Sequence, residues 1–134
     1  MWVEINKRYF DDQFTALAEI DYLILSGSDG IGAHGMYSGN GKCIIIDTLF
    51  KFDGEAVRSG NLEEQFKFDL VYGLMMHEML HQSVHEKAGR IIGGHGPAFL
   101  EEAKRVASLL EEPAPTPENV ARWPLQPMVD VLTE

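Results

Sequence analysis

The stretch from Asn61 to about Glu86 constrains the fold of this chain more than any other. Asn61 is followed three residues later by Glu64, a capping-box pattern, and then by Phe66, Leu70, Val71, Leu74, Met75 and Leu80 at helical spacing. The spacing predicts a long helix, closed by Gly89, a residue that takes the left-handed conformation of a helix C-terminus without steric cost. Inside this helix lies His77-Glu78-Met79-Leu80-His81. A four-residue separation puts both imidazoles on one helix face, so that two nitrogens can reach one tetrahedral metal at roughly 2.0 to 2.1 Å. Glu78 sits beside that face, where it can take a proton from a metal-activated water without being a ligand. From the chain's His and Glu frequencies, a chance match has odds of roughly one or two in a hundred. Zinc is the favoured ion, because imidazole suits it and three protein ligands leave a position open for water.

The third ligand decides the type of site. Val84 and Lys87 stand where a His-Glu-x-x-His-x-x-Gly-x-x-His pattern needs glycine and histidine, which excludes the metzincin arrangement. His85 lies four residues beyond His81, and a straight helix carries it ~6 Å too far along. His95 is better placed, because the glycine-containing stretch Gly89 to Gly94 can turn the chain back toward the helix. Glu101 and Glu102, on the next helix, are the alternative, with a solvated helix face as their ordinary role.

The remaining elements follow from local patterns. Trp2 to Phe10 reads as a short helix and Ile20 to Leu25 as a strand, although Phe14, Leu17, Ile20 and Ile24 also recur at helical spacing. Gly32 to Ser38 and Lys42 to Asp47 flank Gly39-Asn40-Gly41, a hairpin signal, and Cys43 to Ile46 is the best strand. Pro97 suits the first turn of a helix reaching about Leu110, with Ala98, Phe99, Val106, Leu109 and Leu110 as its core face. Pro113, Pro115 and Pro117 cannot continue that helix. The reading is one domain over residues 1–112 and an extended, Pro-containing tail over 113–134, whose Trp123, Leu125 and Met128 are expected to pack back. The fold class expected is α+β: a small, mainly antiparallel sheet packed on the long helix and its flanking helices.

Composition narrows the function classes. The chain has 134 residues with 11 basic and 21 acidic side chains, a net charge of −10 that disfavours direct nucleic-acid binding. Any DNA association is expected only through a partner. Cys43 is the single cysteine, which points to a reducing compartment, and the cytoplasm is the expected location. The start lacks the pattern of a secretory signal, and no apolar run approaches the ~20 residues that span a bilayer. Gly30-Ile31-Gly32-Ala33-His34-Gly35 matches a dinucleotide fingerprint, but Gly39-Asn40-Gly41 breaks the helix that such a site requires. Tyr37, His34, Tyr72, His85 and Arg90 are chemically able to stabilise an oxyanion, and spacing singles out none of them. Met75, Met76 and Met79 read as core filling.

The His-Glu-x-x-His helix followed, after an insert, by His95-Gly96-Pro97-Ala98-Phe99 resembles the SprT-like family of zincin metallopeptidases, to which Spartan-type proteases belong. Asn6 to Phe10 looks like the opening helix of such domains and Lys42 to Asp47 like their strand before the active helix, so the similarity covers roughly residues 2–110. It does not extend to the cysteine-rich zinc ribbon that several members carry. The resemblance implies a zincin-like fold, one zinc ion on His77, His81 and His95, Glu78 as catalytic base, and a protein or peptide substrate. If the Lys42 to Asp47 strand borders the cleft, a substrate chain can add to it as an extra strand. The competing reading is a catalytically silent, zinc-stabilised protein-interaction module.

Overall fold

A computed structural model describes residues 1–11, 14, 19–23, 35–38, 43–47, 50–90 and 94–124. Its elements are α1 (Trp2–Phe10), β1 (Glu19–Leu23), β2 (Gly35–Ser38), β3 (Cys43–Asp47), α2 (Gly54–Arg58), α3 (Leu62–Ala88) and α4 (Pro97–Leu109), with a 3-10 turn at Val120–Arg122.

The axis of the molecule is α3, whose 27 residues extend about 40 Å at 1.5 Å per residue. Asn61 caps it as its sequence indicates, accepting a hydrogen bond from Glu64 N–H at 3.0 Å. The reciprocal half of the capping box is diverted: the Glu64 carboxylate accepts from Asp53 N–H at 2.9 Å, while Asn61 N–H is taken by Ala56 O. This diversion ties α3 to α2, a one-turn helix that periodicity is too short to reveal, started by the Asp53 carboxylate on Glu55 N–H. At the other end Gly89, with φ +71°, closes α3 two residues later than expected. Leu70, Val71, Leu74, Met75, Met76, Met79, Leu80 and Val84 are all buried, more than one stripe's worth. A helix apolar on most sides must be covered on most sides. Here β2, β3, α2 and α4 all contact it.

Among the described residues the sheet has three strands in the order β1-β3-β2. β2 and β3 pair antiparallel from Ser38↔Cys43 to Gly35↔Ile46, as the hairpin signal implies, although residues 39–42 lie outside the described residues. β1 pairs parallel to β3, from Glu19↔Cys43 to Leu23↔Asp47. The expected mainly antiparallel sheet is thus a mixed one. A two-to-four-residue turn forces antiparallel pairing, whereas the long connection after β1 leaves that strand free to dock on the far side of β3. Ile20 to Leu23 is strand rather than helix, and residues 24–34, with most of the glycine run and His34, lie outside the described residues. β3 is central. Its Ile44 and Ile46 are fully buried, each burial contributing about 1.5 to 3 kcal/mol.

α1 closes one side with Ile5 and Phe10 in the core and Trp2 Nε1 donating to the buried Gln82 Oε1 at 3.2 Å. On α4 the buried stripe is Phe99, Glu102, Ala103, Val106 and Ala107. Ala98 and Leu109, expected on the core face, are exposed, because helical spacing from Phe99 and Val106 passes between them. Past residue 112 the chain does pack back: Pro115, Val120 and Trp123 are buried, the last two in the common core. The core therefore continues beyond the boundary expected at residue 112, since a Pro-rich segment loses helix but not apolar surface. Residues 125–134 lie outside the described residues. No helix among the described residues is long and apolar enough to cross a membrane.

Candidate metal centre

Two turns of α3 and the start of α4 build the site. His77 and His81 stand one above the other on α3, with ring centroids 5.2 Å apart. Gly94, at φ +78°, and Gly96, the N-cap of α4, bend the chain so that His95 faces them, its ring 5.1 Å from His77 and 4.9 Å from His81. The three imidazoles form a nearly equilateral triangle. One nitrogen from each lies within 4.8 Å of the others, close enough to hold a metal ion.

One pair of the donor set is already at tetrahedral spacing. Two nitrogens each ~2.05 Å from a tetrahedral centre are ~3.3 Å apart. His77 Nε2 and His95 Nε2 are 3.1 Å apart. Protonation favours binding as well, since the metal takes neutral imidazole. Burial holds His77 down to about 4, reinforced by His95 and opposed by the hydrogen bond to the Trp123 carbonyl. Burial, with His77 and His95 adjacent, holds His81 down to about 3, and burial also lowers His95.

Phe99 is the floor of the site. Its ring lies 5.0 Å from His77, 4.5 Å from His81 and 4.8 Å from His95, and it is itself buried. An apolar ring against all three imidazoles keeps water and competing hydrogen-bond partners from that side. Pro97 starts α4 at a position where its missing N–H costs nothing, which puts Phe99 within two residues of that start.

Glu78, the residue after His77 on α3, is buried and accepts from the Tyr37 backbone N–H of β2. Burial pushes its carboxyl up to about 8, the Tyr37 hydrogen bond working against that. Gly35, two residues earlier on β2, lies alongside: a Cβ there would sit at ordinary contact distance, 3.6 Å, from Glu78 Oε1.

His77, His81 and His95 are thus brought together, with Glu78 following His77 on α3, and among the described residues the other ligand candidates are not. His85 is held a turn further along, its Nδ1 2.8 Å from Tyr37 Oη. Glu101 is exposed. Glu102 is neither ligand nor solvated face. It accepts from Ser83 Oγ at 2.6 Å, Lys87 Nζ at 2.7 Å and Arg105 Nε at 3.2 Å, and Arg105 also donates to Tyr9 O at 2.9 Å. This partly buried network joins α1, α3 and α4. Burial alone would raise the Glu102 carboxyl, but the bonds from Arg105, Lys87 and Ser83 bring it down to about 2.

Two contributors have no sequence signature. The Trp123 carbonyl oxygen, 2.7 Å from His77 Nδ1, and the Tyr37 N–H on Glu78 are main-chain groups that any residue type supplies. Only the apolar character of Trp123 hinted that its segment returns to the core.

Compared with protein-family models, with curated proteins and with solved structures, the chain matches none of them.

Proposed function

We propose that this protein is a zinc-dependent metallopeptidase of the SprT-like, zincin type, acting on a protein or peptide substrate. The observation that carries the reading is the triangle of His77, His81 and His95, whose nitrogens all lie within 4.8 Å of one another, on a helix where the residue after His77 is the buried Glu78. A purely structural site has no need of a buried acid beside its ligands, whereas hydrolysis requires a base there.

His77, His81 and His95 would hold the zinc. Bound zinc supplies Lewis acidity, which polarises a carbonyl and makes a water more acidic. Glu78, held up to about 8 by burial, would act as the carboxylate once a cation held by these histidines lowered it. The Glu78 carboxylate then accepts a proton from the attacking water and returns it to the leaving amine, so that one group serves as base and then acid. The Tyr37 N–H holds that carboxylate in place through both transfers. β3 is paired on both sides, which leaves it no free edge for a substrate strand. β2, at the sheet edge among the described residues and alongside Glu78, is the strand to which an extended peptide can add through backbone hydrogen bonds.

Glu78→Gln tests the reading. It should abolish peptide hydrolysis, by about a hundredfold or more, while fold and zinc content persist. Full proteolysis by this variant would overturn the mechanism, and a zinc-dependent partner interaction indifferent to it would favour the interaction module.

A further inference from the structure

We propose that residues 113–124 form a strap that fixes His77 as a metal ligand, with the Trp123 carbonyl as its point of contact. The proposal rests on the metal reading above and adds a positioning element to it. A carbonyl oxygen only accepts, so the 2.7 Å contact requires that His77 Nδ1 carry the proton. The lone pair is then on Nε2, the nitrogen 3.1 Å from His95 Nε2 and directed into the triangle. Without that acceptor the ring is free to exchange tautomers and to rotate, and a share of its states present no lone pair to the ion.

The strap is built to hold the carbonyl still. Pro115, Val120 and Trp123 are buried, and the backbone between them is closed on itself. Asn119 Oδ1 accepts from Thr116 N–H at 2.8 Å, Val120 N–H donates to Thr116 O at 2.9 Å, and Trp123 N–H donates to Val120 O at 3.1 Å. The ligands thus come from α3 and the turn before α4, while the orientation of the first ligand comes from a segment 46 residues further along the chain. Metal affinity becomes a readout of whether that segment is docked.

The test compares zinc affinity, by competition with a chelator, in the full-length native chain, Trp123→Ala, Trp123→Phe and Ile5→Ala. Ile5 is a fully buried residue of α1, which supplies no ligand and no bond to one, so Ile5→Ala controls for loss of stability alone. Loss of the partner of a ligating histidine typically costs 10- to 100-fold in metal affinity, and that loss is expected for Trp123→Ala, with Trp123→Phe and Ile5→Ala within about threefold of native. Nitrogen-15 spectra of the zinc-loaded chains supply a second readout: the His77 Nδ1–H signal persists in native and Ile5→Ala protein and is lost to exchange in Trp123→Ala. If Trp123→Ala does not fold, Val120→Ala replaces it, with the same ordering expected at the low end of that range. Native-like zinc affinity with a retained Nδ1–H signal overturns the strap alone, as does an equal loss in Ile5→Ala. A native chain that binds no zinc overturns the strap and the metal reading together.

Discussion

Replacing Glu102 by Gln keeps the shape of the side chain and removes its charge from the network that Ser83, Lys87 and Arg105 converge on. The folded protein holds this carboxyl at about 2 against an ordinary value of 4.5. At 1.36 kcal/mol for each tenfold change in proton affinity, that difference corresponds to about 3 kcal/mol of stability at neutral pH. Lys87 is half exposed and its share is screened by solvent, so the expected loss is about 2 kcal/mol. For a domain of this size that lowers the melting temperature by about 7 °C. The sign with pH is fixed. The unfolded chain takes up the proton at 4.5 and the folded chain only at about 2, so the stabilisation is complete above 4.5 and is lost as pH falls toward 2. Thermal melts followed by circular dichroism, with chelator present, should therefore show a gap between native and Glu102→Gln that is constant above pH 5 and narrows below 4.5. Taking the difference between the two chains cancels the histidines, which both share. A gap under ~1 °C at pH 7, or one unchanged from pH 5 to 3, would refute the assignment of the network as a stabilising clamp.

Two further expectations concern the site. Phe99→Ala removes a buried ring that touches all three imidazoles, and urea unfolding should show a loss of about 3 kcal/mol or more together with weaker zinc binding; zinc affinity equal to native would show that the ring only fills space. Gly35→Ala places its Cβ at ordinary contact distance from Glu78 Oε1 and Leu74, whereas the methyls of Gly35→Val press on the carboxyl, so the valine variant should lose roughly tenfold or more in peptide turnover with zinc content unchanged.

Local chemistry made most of the site legible in the sequence. The Asn61 cap, the apolar run after it and the Gly89 stop place His77, Glu78 and His81 on one helix, because capping and periodicity act over a few residues. His95 was legible for a similar reason: glycines before it and Pro97 after it define where the chain turns and where α4 begins. Where packing decides, sequence was silent. Glu102 has the look of a surface acid, and only the convergence of Lys87, Ser83 and Arg105 from two helices makes its burial tolerable. The parallel β1·β3 pairing depends on a long connection rather than on any turn residue, so the alternation in Ile20 to Leu23 named a strand without naming its neighbour. The Trp123 carbonyl and the Tyr37 N–H are backbone groups, whose roles exist only in three dimensions.

Zinc content tests the central claim most directly. The native chain and His95→Ala, purified identically, would be compared by native and elemental mass spectrometry. The account predicts close to one zinc per native chain and a sharp fall in the variant, because two histidines on one helix hold zinc far more weakly than three. Zinc absent from the native chain, or retained in full by His95→Ala, would contradict it.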